Sequence, residues 1–272
     1  MDISFDLTGK TAVITGAAGI LCGSMARHLA EKGAQVALLD LFEDRAAKIA
    51  GDIIKNGGEA IAVRVDVLDK QSIIRAKDQV LKQFGKVDIL INGAGGNKKE
   101  ATTGPEMSFF DMPADALQWV FDLNFAGTFL TTQVFGEFMA DRKSGCIINI
   151  SSMAAILPLT ETVAYSAAKA AISNFTKWMA VHFNHNYSEN IRVNAIAPGF
   201  LLTAQNQFLL TDEKTGEATE RGKAIIEHTP MGRYGSPDEL AGAVIWLASD
   251  AASFVNGIIL PIDGGFSAYS GV

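Results

Sequence analysis

A tyrosine and a lysine at helical spacing are the first residues in this chain whose types and positions suggest chemistry. Tyr165 and Lys169 are four positions apart, so on a helix they share one face, one turn apart. An ammonium group beside a phenol stabilises the phenolate and lowers its pKa from about 10 toward neutral pH. We therefore expect Tyr165 to act as a general acid and base, with Ser152 reaching the same point from the end of a strand. The simpler alternative is a solvated surface pair.

A glycine-rich turn near the N-terminus predicts a dinucleotide site. Gly16 and Gly19 separate a predicted strand from a predicted helix, and such a turn lets backbone N–H groups and a helix N-terminus face a pyrophosphate. Asp40 ends the next strand, where a carboxylate accepts hydrogen bonds from ribose hydroxyls and repels a 2′-phosphate. No Lys or Arg lies between Asp40 and Arg45, so we expect NAD rather than NADP. Asp40 could also be a solvated acid at the end of a strand.

The ends of two further strands carry residues that would meet the same cofactor. Asp66 and Val67 follow the third predicted strand and could reach the adenine edge. The fourth predicted strand ends in small residues that let the backbone approach the cofactor closely, namely Asn92, Gly93, Ala94 and Gly95. For the pyrophosphate itself we expect contacts from the turn, at Gly16, Gly19, Ile20 and Leu21.

Composition excludes several classes of protein. The 272 residues, 48% of them hydrophobic and 19% charged, suffice for a sizeable core and are not those of a disordered chain. The net charge of −7 is the wrong sign for a nucleic-acid-binding protein. The apolar stretches are too short to span a bilayer, and the acidic N-terminus is not a signal peptide. We therefore expect no nucleic-acid or membrane partner and a cytoplasmic location.

Cysteine and histidine usage predicts neither a disulfide framework nor a metal site. Cys22 and Cys146 are the two cysteines, without Cys-x-x-Cys spacing, and we expect reduced thiols. His182 and His185 lie close together, but a zinc site needs three or four converging ligands.

Short β-rich runs alternate with helix-like stretches along the whole chain. Strands are predicted at Thr11–Thr15, Gln35–Leu39, Ala60–Val65, Val87–Ile91, Cys146–Ile150, Ile191–Ile196 and Gly257–Ile262. Helices are predicted at Ser24–Lys32, Asp44–Asn56, Lys70–Phe84, Ala114–Met139, Ala164–Phe183 and Pro237–Ser249. This alternation predicts an α/β fold of the Rossmann type, a doubly wound parallel sheet in a three-layer α/β/α arrangement, forming one domain over residues 1–272.

Two long segments interrupt the alternation. Residues 97–112 follow the fourth strand and residues 202–228 follow the sixth. Both leave the carboxyl ends of strands, where ligands bind in open α/β sheets, so we expect them to be substrate loops.

Taken together, these residues resemble the short-chain dehydrogenase/reductases from end to end. The resemblance is carried by Thr15-Gly16, Asp66-Val67, Asn92-Gly93-Ala94-Gly95, Asn124, Ser152, Tyr165-x-x-x-Lys169, and Asn194 through Pro198-Gly199. It implies NAD-dependent hydride transfer at a CH–OH group and a catalytic tetrad of Asn124, Ser152, Tyr165 and Lys169. It also implies that Thr203, just after the cofactor-binding Pro198-Gly199, binds the nicotinamide carboxamide. Helices 114–139 and 164–183 are implied to pair between subunits of a homo-oligomer, a tetramer.

The glycine turn departs from the family pattern. Its second and third glycine positions in the usual Thr-Gly-x-x-x-Gly-x-Gly spacing hold Ile20 and Cys22. The remaining glycines, Gly16 and Gly19, are closer to a Thr-Gly-x-x-Gly-x-x-Gly spacing. The departure leaves the fold intact but affects how the turn contacts a pyrophosphate.

Within the family the chain is most similar to the short-chain-type D-mannonate oxidoreductases, or fructuronate reductases. The similar stretches include Ser108–Met112, Trp178–Phe183, Pro198–Asn206 and the tail Asp263–Val272. A sugar-acid substrate needs polar and cationic partners, for which the candidates are Asn97, Lys98, Gln205, Asn206 and Arg221. Gluconate/5-ketogluconate or another polyol would suit the same chemistry. A non-catalytic NAD(H)-sensing protein is the remaining alternative, and the intact tetrad weighs against it.

Overall fold

A single parallel sheet of seven strands forms the centre of the computed structural model, which describes residues 4–202, 210, 211 and 216–271. The strands are arranged in the order β3-β2-β1-β4-β5-β6-β7, and every pairing is parallel. They comprise β1 (Thr11–Thr15), β2 (Gln35–Asp40), β3 (Glu59–Arg64), β4 (Ile89–Asn92), β5 (Gly145–Ile150), β6 (Ile191–Pro198) and β7 (Ile259–Ile262).

Helices connect the strands and cover both faces of the sheet. They are α1 (Ile20–Glu31), α2 (Glu43–Lys55), α3 (Lys70–Phe84), α4 (Ala114–Phe121), α5 (Gly127–Arg142), α6 (Val163–Asn186), α7 (Glu220–His228) and α8 (Ala241–Ala248). One core cluster packs α1, α2 and α8 on the sheet, and a second packs α3, α5 and α6 on the other face. The predicted class, a doubly wound parallel sheet in one domain, is confirmed.

The boundaries of the elements follow local chemistry. The central strands consist mostly of β-branched and aliphatic residues, nearly all of them buried, as a parallel sheet covered on both faces requires. Helix α2 turns Ala46, Ala50 and Ile53 toward the core at helical spacing. Helix α3 begins after Asp69, whose carboxylate accepts the Gln71 N–H.

Several predicted boundaries need correction. Helix α1 begins at Ile20 rather than Ser24, while β4 and β7 each begin two residues later than predicted. The helix predicted over Ala114–Met139 is two helices, α4 and α5, joined by a π-helical turn at Asp122–Ala126. At that turn the Asn124 side-chain amide donates to the Val120 carbonyl at 2.7 Å, the acceptor that an α-helix would give to the Asn124 N–H.

A buried network of polar side chains joins the middle of the sheet to the helices. The Asn92 amide donates to Thr132 Oγ1 at 3.0 Å and to Asn149 Oδ1 at 2.8 Å. Thr131 donates to Asn92 Oδ1, and the Asn149 amide donates to Thr176 Oγ1. Because these groups satisfy one another, they fix β4 and β5 against α5 and α6.

Replacing Asn149 by alanine tests this network. Asn149→Ala removes a buried side chain together with the hydrogen bonds that Asn92 Nδ2 and Thr176 Oγ1 make to it, so we expect the free energy of unfolding to fall by about 3 kcal/mol. Urea unfolding measures the loss. The control is Asn56→Ala at the exposed end of α2, for which we expect a smaller loss. Equal effects of the two substitutions would contradict the structural role of the network.

Candidate active site

The candidate site lies where the strand order reverses, between β1 and β4. Thr15 and Asn92 end these two strands side by side. The Thr15 hydroxyl accepts hydrogen bonds from the Gly93 N–H at 3.1 Å and the Ala94 N–H at 3.2 Å. Thr15 thereby fixes the loop after β4 against the turn after β1, at the crevice where open α/β sheets bind ligands.

The turn after β1 fits a pyrophosphate. Gly16 has a φ of +66°, and a Cβ there would lie 2.8 Å from the Ala94 backbone, so only glycine fits. Gly19 precedes α1 without any side-chain cap, and the first-turn N–H groups of α1 have no intrahelical acceptor. Backbone N–H groups at the N-terminus of a twelve-residue helix are suited to an anionic phosphate.

Cys22, which stands where the family pattern has a glycine, fits because Gly93 beside it has no side chain. A Cβ on Gly93 would lie 2.1 Å from Cys22 Sγ and 2.8 Å from the Thr15 carbonyl oxygen. The thiol is buried, and burial raises its pKa to about 12, so the sulfur packs as a neutral group. The departure from the family spacing is therefore a change in packing between α1 and the loop after β4, and it leaves the N-terminus of α1 open.

Asp40 connects the end of β2 to the glycine turn. One carboxylate oxygen accepts the Ala18 N–H and the other accepts the Phe42 N–H, each at 2.9 Å. A carboxylate has about four acceptor positions, so capacity for ribose hydroxyls remains. The nearest cationic side chain along the chain, Arg45, stacks over the Phe42 ring at 4.9 Å.

The end of β3 forms the next wall of the crevice. The Asp66 carboxylate is exposed and accepts the Leu68 N–H at 2.9 Å. Val67 is buried against Gly127, where a Cβ would lie 2.8 Å from Val67 Cγ2. The Asn92 side chain, by contrast, is committed to the buried network, so its part of the crevice is backbone.

Tyr165, Lys169 and Ser152 come together at the end of β5. Lys169 Nζ lies 5.5 Å from the centre of the Tyr165 ring and donates to the Ile150 carbonyl oxygen at 2.8 Å. Ser152 hydrogen-bonds Tyr165 and also accepts the Ala154 N–H at 3.1 Å. Its neighbour Ser151 turns instead toward α6 and hydrogen-bonds Ser173.

The electrostatics of this pair differ from the prediction. Burial lowers the pKa of Lys169 to about 8, whereas the burial of Tyr165 raises the pKa of the phenol, with the Ser152 hydrogen bond opposing the rise. The pKa of Tyr165 is therefore shifted upward in this arrangement, and the downward shift predicted from the sequence is wrong. The physical reason is that burial of the phenol itself disfavours the phenolate.

Asn124 occupies the π-helical turn between α4 and α5 and is fully buried. Its amide donates to the Gly96 carbonyl at 2.7 Å, and its Oδ1 accepts the Gly96 N–H at 3.3 Å. A Cβ on Gly95 would lie 2.5 Å from Asn124 Oδ1 and 3.4 Å from Lys169 Nζ. Asn124 therefore sets the path of the loop after β4 beside the lysine.

The end of β6 also reaches the crevice. Pro198 ends the strand, and a Cβ on Gly199 would lie 2.5 Å from Asp263 Cβ, so the two segments are in close contact. Thr203, Gln205 and Asn206, predicted to bind nicotinamide or substrate, lie outside the described residues.

A cavity of about 420 Å³ adjoins the segment that follows Ser152. It is lined from the carboxyl ends of β5, β6 and β7 by Leu157–Thr160, Phe200, Phe266 and residues of α7, including Arg221 and His228. Sequence reasoning named Arg221 but missed His228 and Phe266, because nothing in their spacing connects them to Tyr165.

Two other predicted substrate residues, Asn97 and Lys98, are not among the residues that line this cavity. The Asn97 amide donates to Thr102 Oγ1 at 3.1 Å, and Lys98 Nζ lies 5.8 Å from the Trp119 ring centre. Neither residue lines the cavity, whereas Arg221 does.

In the described ranges 4–202, 210–211 and 216–271, no group of three or more His, Cys, Asp or Glu side chains could hold a metal ion. No helix in those ranges is both long and apolar enough to cross a membrane. His182 instead stacks on Trp178 with ring centres 4.5 Å apart.

Comparison with known proteins agrees with this architecture. A protein-family model described as enoyl-(acyl carrier protein) reductase matches residues 16–267. The uncharacterized oxidoreductase UxuB of Bacillus subtilis (strain 168) is 51% identical over 276 residues, covering 98% of each chain. The NAD-dependent glycerol dehydrogenase of Listeria innocua is 36% identical over 266 residues, covering 98% of this chain and 97% of that protein.

A solved structure from Haemophilus influenzae is similar over the same extent. It is provisionally described as a D-mannonate oxidoreductase, has NAD bound, and is 48% identical with a TM-score of 0.93, covering 98% of both chains. With the fold, the glycine turn and the Ser152, Tyr165 and Lys169 cluster in place, the chain belongs to the short-chain dehydrogenase/reductase family of oxidoreductases, as do its relatives that act on alcohol groups.

Proposed function

We propose that this protein is an NAD-dependent oxidoreductase that interconverts D-mannonate and D-fructuronate. The observation that carries the proposal is the meeting of Ser152, Tyr165 and Lys169 beside the glycine turn, at one edge of the sheet. The 48% identity to the Haemophilus influenzae protein supports the choice of sugar acid. Bound NAD would supply or accept the hydride at C5 of the sugar acid.

The side chains of the tetrad would handle the proton. In the reductive direction the Ser152 hydroxyl donates to the substrate carbonyl oxygen and polarises it, and the Tyr165 hydroxyl donates the proton to the same oxygen. Lys169, when protonated, stabilises the phenolate that remains and donates to the ribose hydroxyls of the cofactor. Asn124 holds the loop after β4 beside Lys169, and we propose that a water next to it returns a proton from solvent.

The cofactor would lie across the carboxyl ends of β1 to β6. The N–H groups of Ile20 and Leu21 would bind the pyrophosphate, while Gly16 and Gly19, whose N–H donates to the Gly16 carbonyl at 3.0 Å, would shape the turn beside it. Asp40 would accept the ribose hydroxyls. A carboxylate at that position repels a 2′-phosphate and so favours NAD over NADP. Asp66 and Val67 would border the adenine, while Gly93, Ala94, Pro198, Gly199 and Thr203 would border the nicotinamide half.

A neutral polyol or gluconate is the second candidate substrate. The neutral polyol is supported by the 36% identity to the NAD-dependent glycerol dehydrogenase of Listeria innocua. Arg221, a cation lining the cavity next to the segment after Ser152, weighs against the neutral polyol, which would not require it, whereas the carboxylate of gluconate would suit it.

Oligomer formation belongs to the same proposal. A groove of about 550 Å³ runs between α5 and α6, and Trp178 and Val181 are 57% and 56% exposed on the α6 side. Such apolar exposure is typical of an interface. We propose that these helices pair between subunits of a homotetramer.

A substrate and cofactor matrix tests the proposed function. NADH oxidation is followed with fructuronate, 5-ketogluconate and fructose in parallel, and each reaction is repeated with NADPH. We expect turnover with fructuronate and NADH to exceed every other combination. Faster turnover of another ketone would overturn the substrate, and equal use of NADPH would overturn the role of Asp40.

Removing the Tyr165 hydroxyl tests the proton donor. Tyr165→Phe keeps the ring and its packing, so we expect kcat to fall at least about 100-fold because a general acid is lost. NADH affinity, measured by fluorescence titration, should stay within a few-fold of the wild type. Loss of NADH binding in this variant would mean that Tyr165 positions the cofactor instead.

Removing the Lys169 charge tests the cost of burying it. The folded pKa of about 8 lies below the ordinary lysine value, so at pH 7 the folded protein carries an ammonium that burial disfavours. Lys169→Met removes that penalty, and we expect a higher Tm than the wild type at pH 7 together with loss of activity. As the pH rises above 8 the wild-type lysine is neutral when folded but charged when unfolded, so the difference in Tm narrows.

The matched control for this substitution lies on the same helix. Lys177→Met removes an exposed ammonium from α6, and we expect its effect on Tm to be small and independent of pH. The burial argument would be contradicted if the Tm of Lys169→Met were lower than that of the wild type by an amount that stays constant between pH 7 and 10.

A further inference from the structure

Arg221 is the one formally charged side chain among the described residues that line the 420 Å³ cavity. It lies in the first turn of α7, and Leu157–Thr160, the segment that follows Ser152, line the same cavity. Phe200 and Phe266 contribute apolar rings, 5.2 Å apart, to the same cavity. An anionic group in this cavity would therefore meet a single arginine in largely apolar surroundings.

Glu161 holds this arginine. Arg221 Nη1 and Glu161 Oε2 are 2.8 Å apart, and the two side chains are 37% and 42% exposed. A half-exposed ion pair contributes little to stability because water competes for both charges. A ligand carboxylate can therefore replace Glu161 at Arg221 without a large loss of folding stability.

The backbone at Glu161 shows that its position is constrained. Its φ is +72°, in the left-handed region that residues other than glycine rarely adopt. The Glu161 carbonyl accepts the Thr103 N–H at 2.9 Å, which joins it to the loop at 97–112. Glu161 thus connects that loop, the segment after Ser152 and α7 at a single point.

We propose that Arg221 selects the substrate by binding its carboxylate, and that Glu161 is an internal competitor that occupies Arg221 until an anionic substrate displaces it. This inference rests on the proposed function, in which the substrate is a sugar acid. A guanidinium carries five donors in a planar fork, suited to bidentate binding of a carboxylate. A neutral ketose leaves the Arg221–Glu161 pair intact and gains no contact from it.

The test compares an anionic and a neutral ketone with NADH, using fructuronate and fructose. Arg221→Gln should raise KM for fructuronate by about tenfold or more, because one charge-assisted contact to the carboxylate is lost. It should leave kcat/KM for fructose, which has no carboxylate, unchanged. Glu161→Gln should lower KM for fructuronate several-fold, because the competitor is neutral, and leave fructose unchanged. In the double variant the gain from Glu161→Gln should disappear.

Lys223→Gln is the matched control. Lys223 lies on the same helix and pairs with Glu220 at 2.9 Å, but it does not line the cavity. Lys223→Gln removes one positive charge from α7, as Arg221→Gln does, and we expect no change in selectivity between the two ketones. A change equal to that of Arg221→Gln would mean that the net charge of α7, rather than Arg221, attracts the substrate.

The outcomes separate this inference from the proposed function. If the wild type uses fructose as well as fructuronate, both the sugar-acid assignment and the role of Arg221 are wrong. If the wild type prefers fructuronate but Arg221→Gln keeps that preference, only the inference is overturned. Should Arg221→Gln fail to fold, as judged by circular dichroism, Glu161→Gln decides alone, since an unchanged KM for fructuronate excludes the competitor.

Discussion

The close approach of the loop after β4 to the turn after β1 is the constraint on which the candidate site depends. Gly16 cannot carry a Cβ because Ala94 lies too near, and Gly93 cannot because Cys22 and Thr15 occupy the space. The Thr15 hydroxyl closes this contact by accepting two loop N–H groups. Because the contact leaves no space for side chains, the backbone N–H groups of the first helical turn remain open to a pyrophosphate.

The loop after β4 also connects the glycine-turn side of the crevice to the cluster of Tyr165 and Lys169. Asn124 binds Gly96 through both side-chain atoms and lies beside Lys169, at a π-helical turn that its own amide stabilises. The buried lysine in turn lies next to Tyr165 and donates to the Ile150 carbonyl. The site therefore keeps a desolvated cation in the folded protein, and a cation in that position is what a developing phenolate requires.

The sequence was sufficient for the class of fold, since strand–helix alternation and buried β-branched runs determine a covered parallel sheet. It also brought Tyr165 and Lys169 onto one helix face, because helical spacing is local. It could not predict the π-helical turn at Asn124, which depends on one side-chain hydrogen bond, nor the raised pKa of Tyr165, which depends on burial. The Arg221–Glu161 pair joins residues 60 positions apart, and no local pattern signals such a contact.

The most direct test of the central claim is to follow the transferred hydrogen. Fructuronate is reduced with NADH that carries deuterium at the transferable C4 position, and the product is examined by NMR and mass spectrometry. We expect mannonate with one deuterium at C5, the carbon that bears the new hydroxyl, and none in the Tyr165→Phe reaction over the same time. Product without deuterium at C5, or no product despite bound NADH, would contradict hydride transfer to this sugar acid.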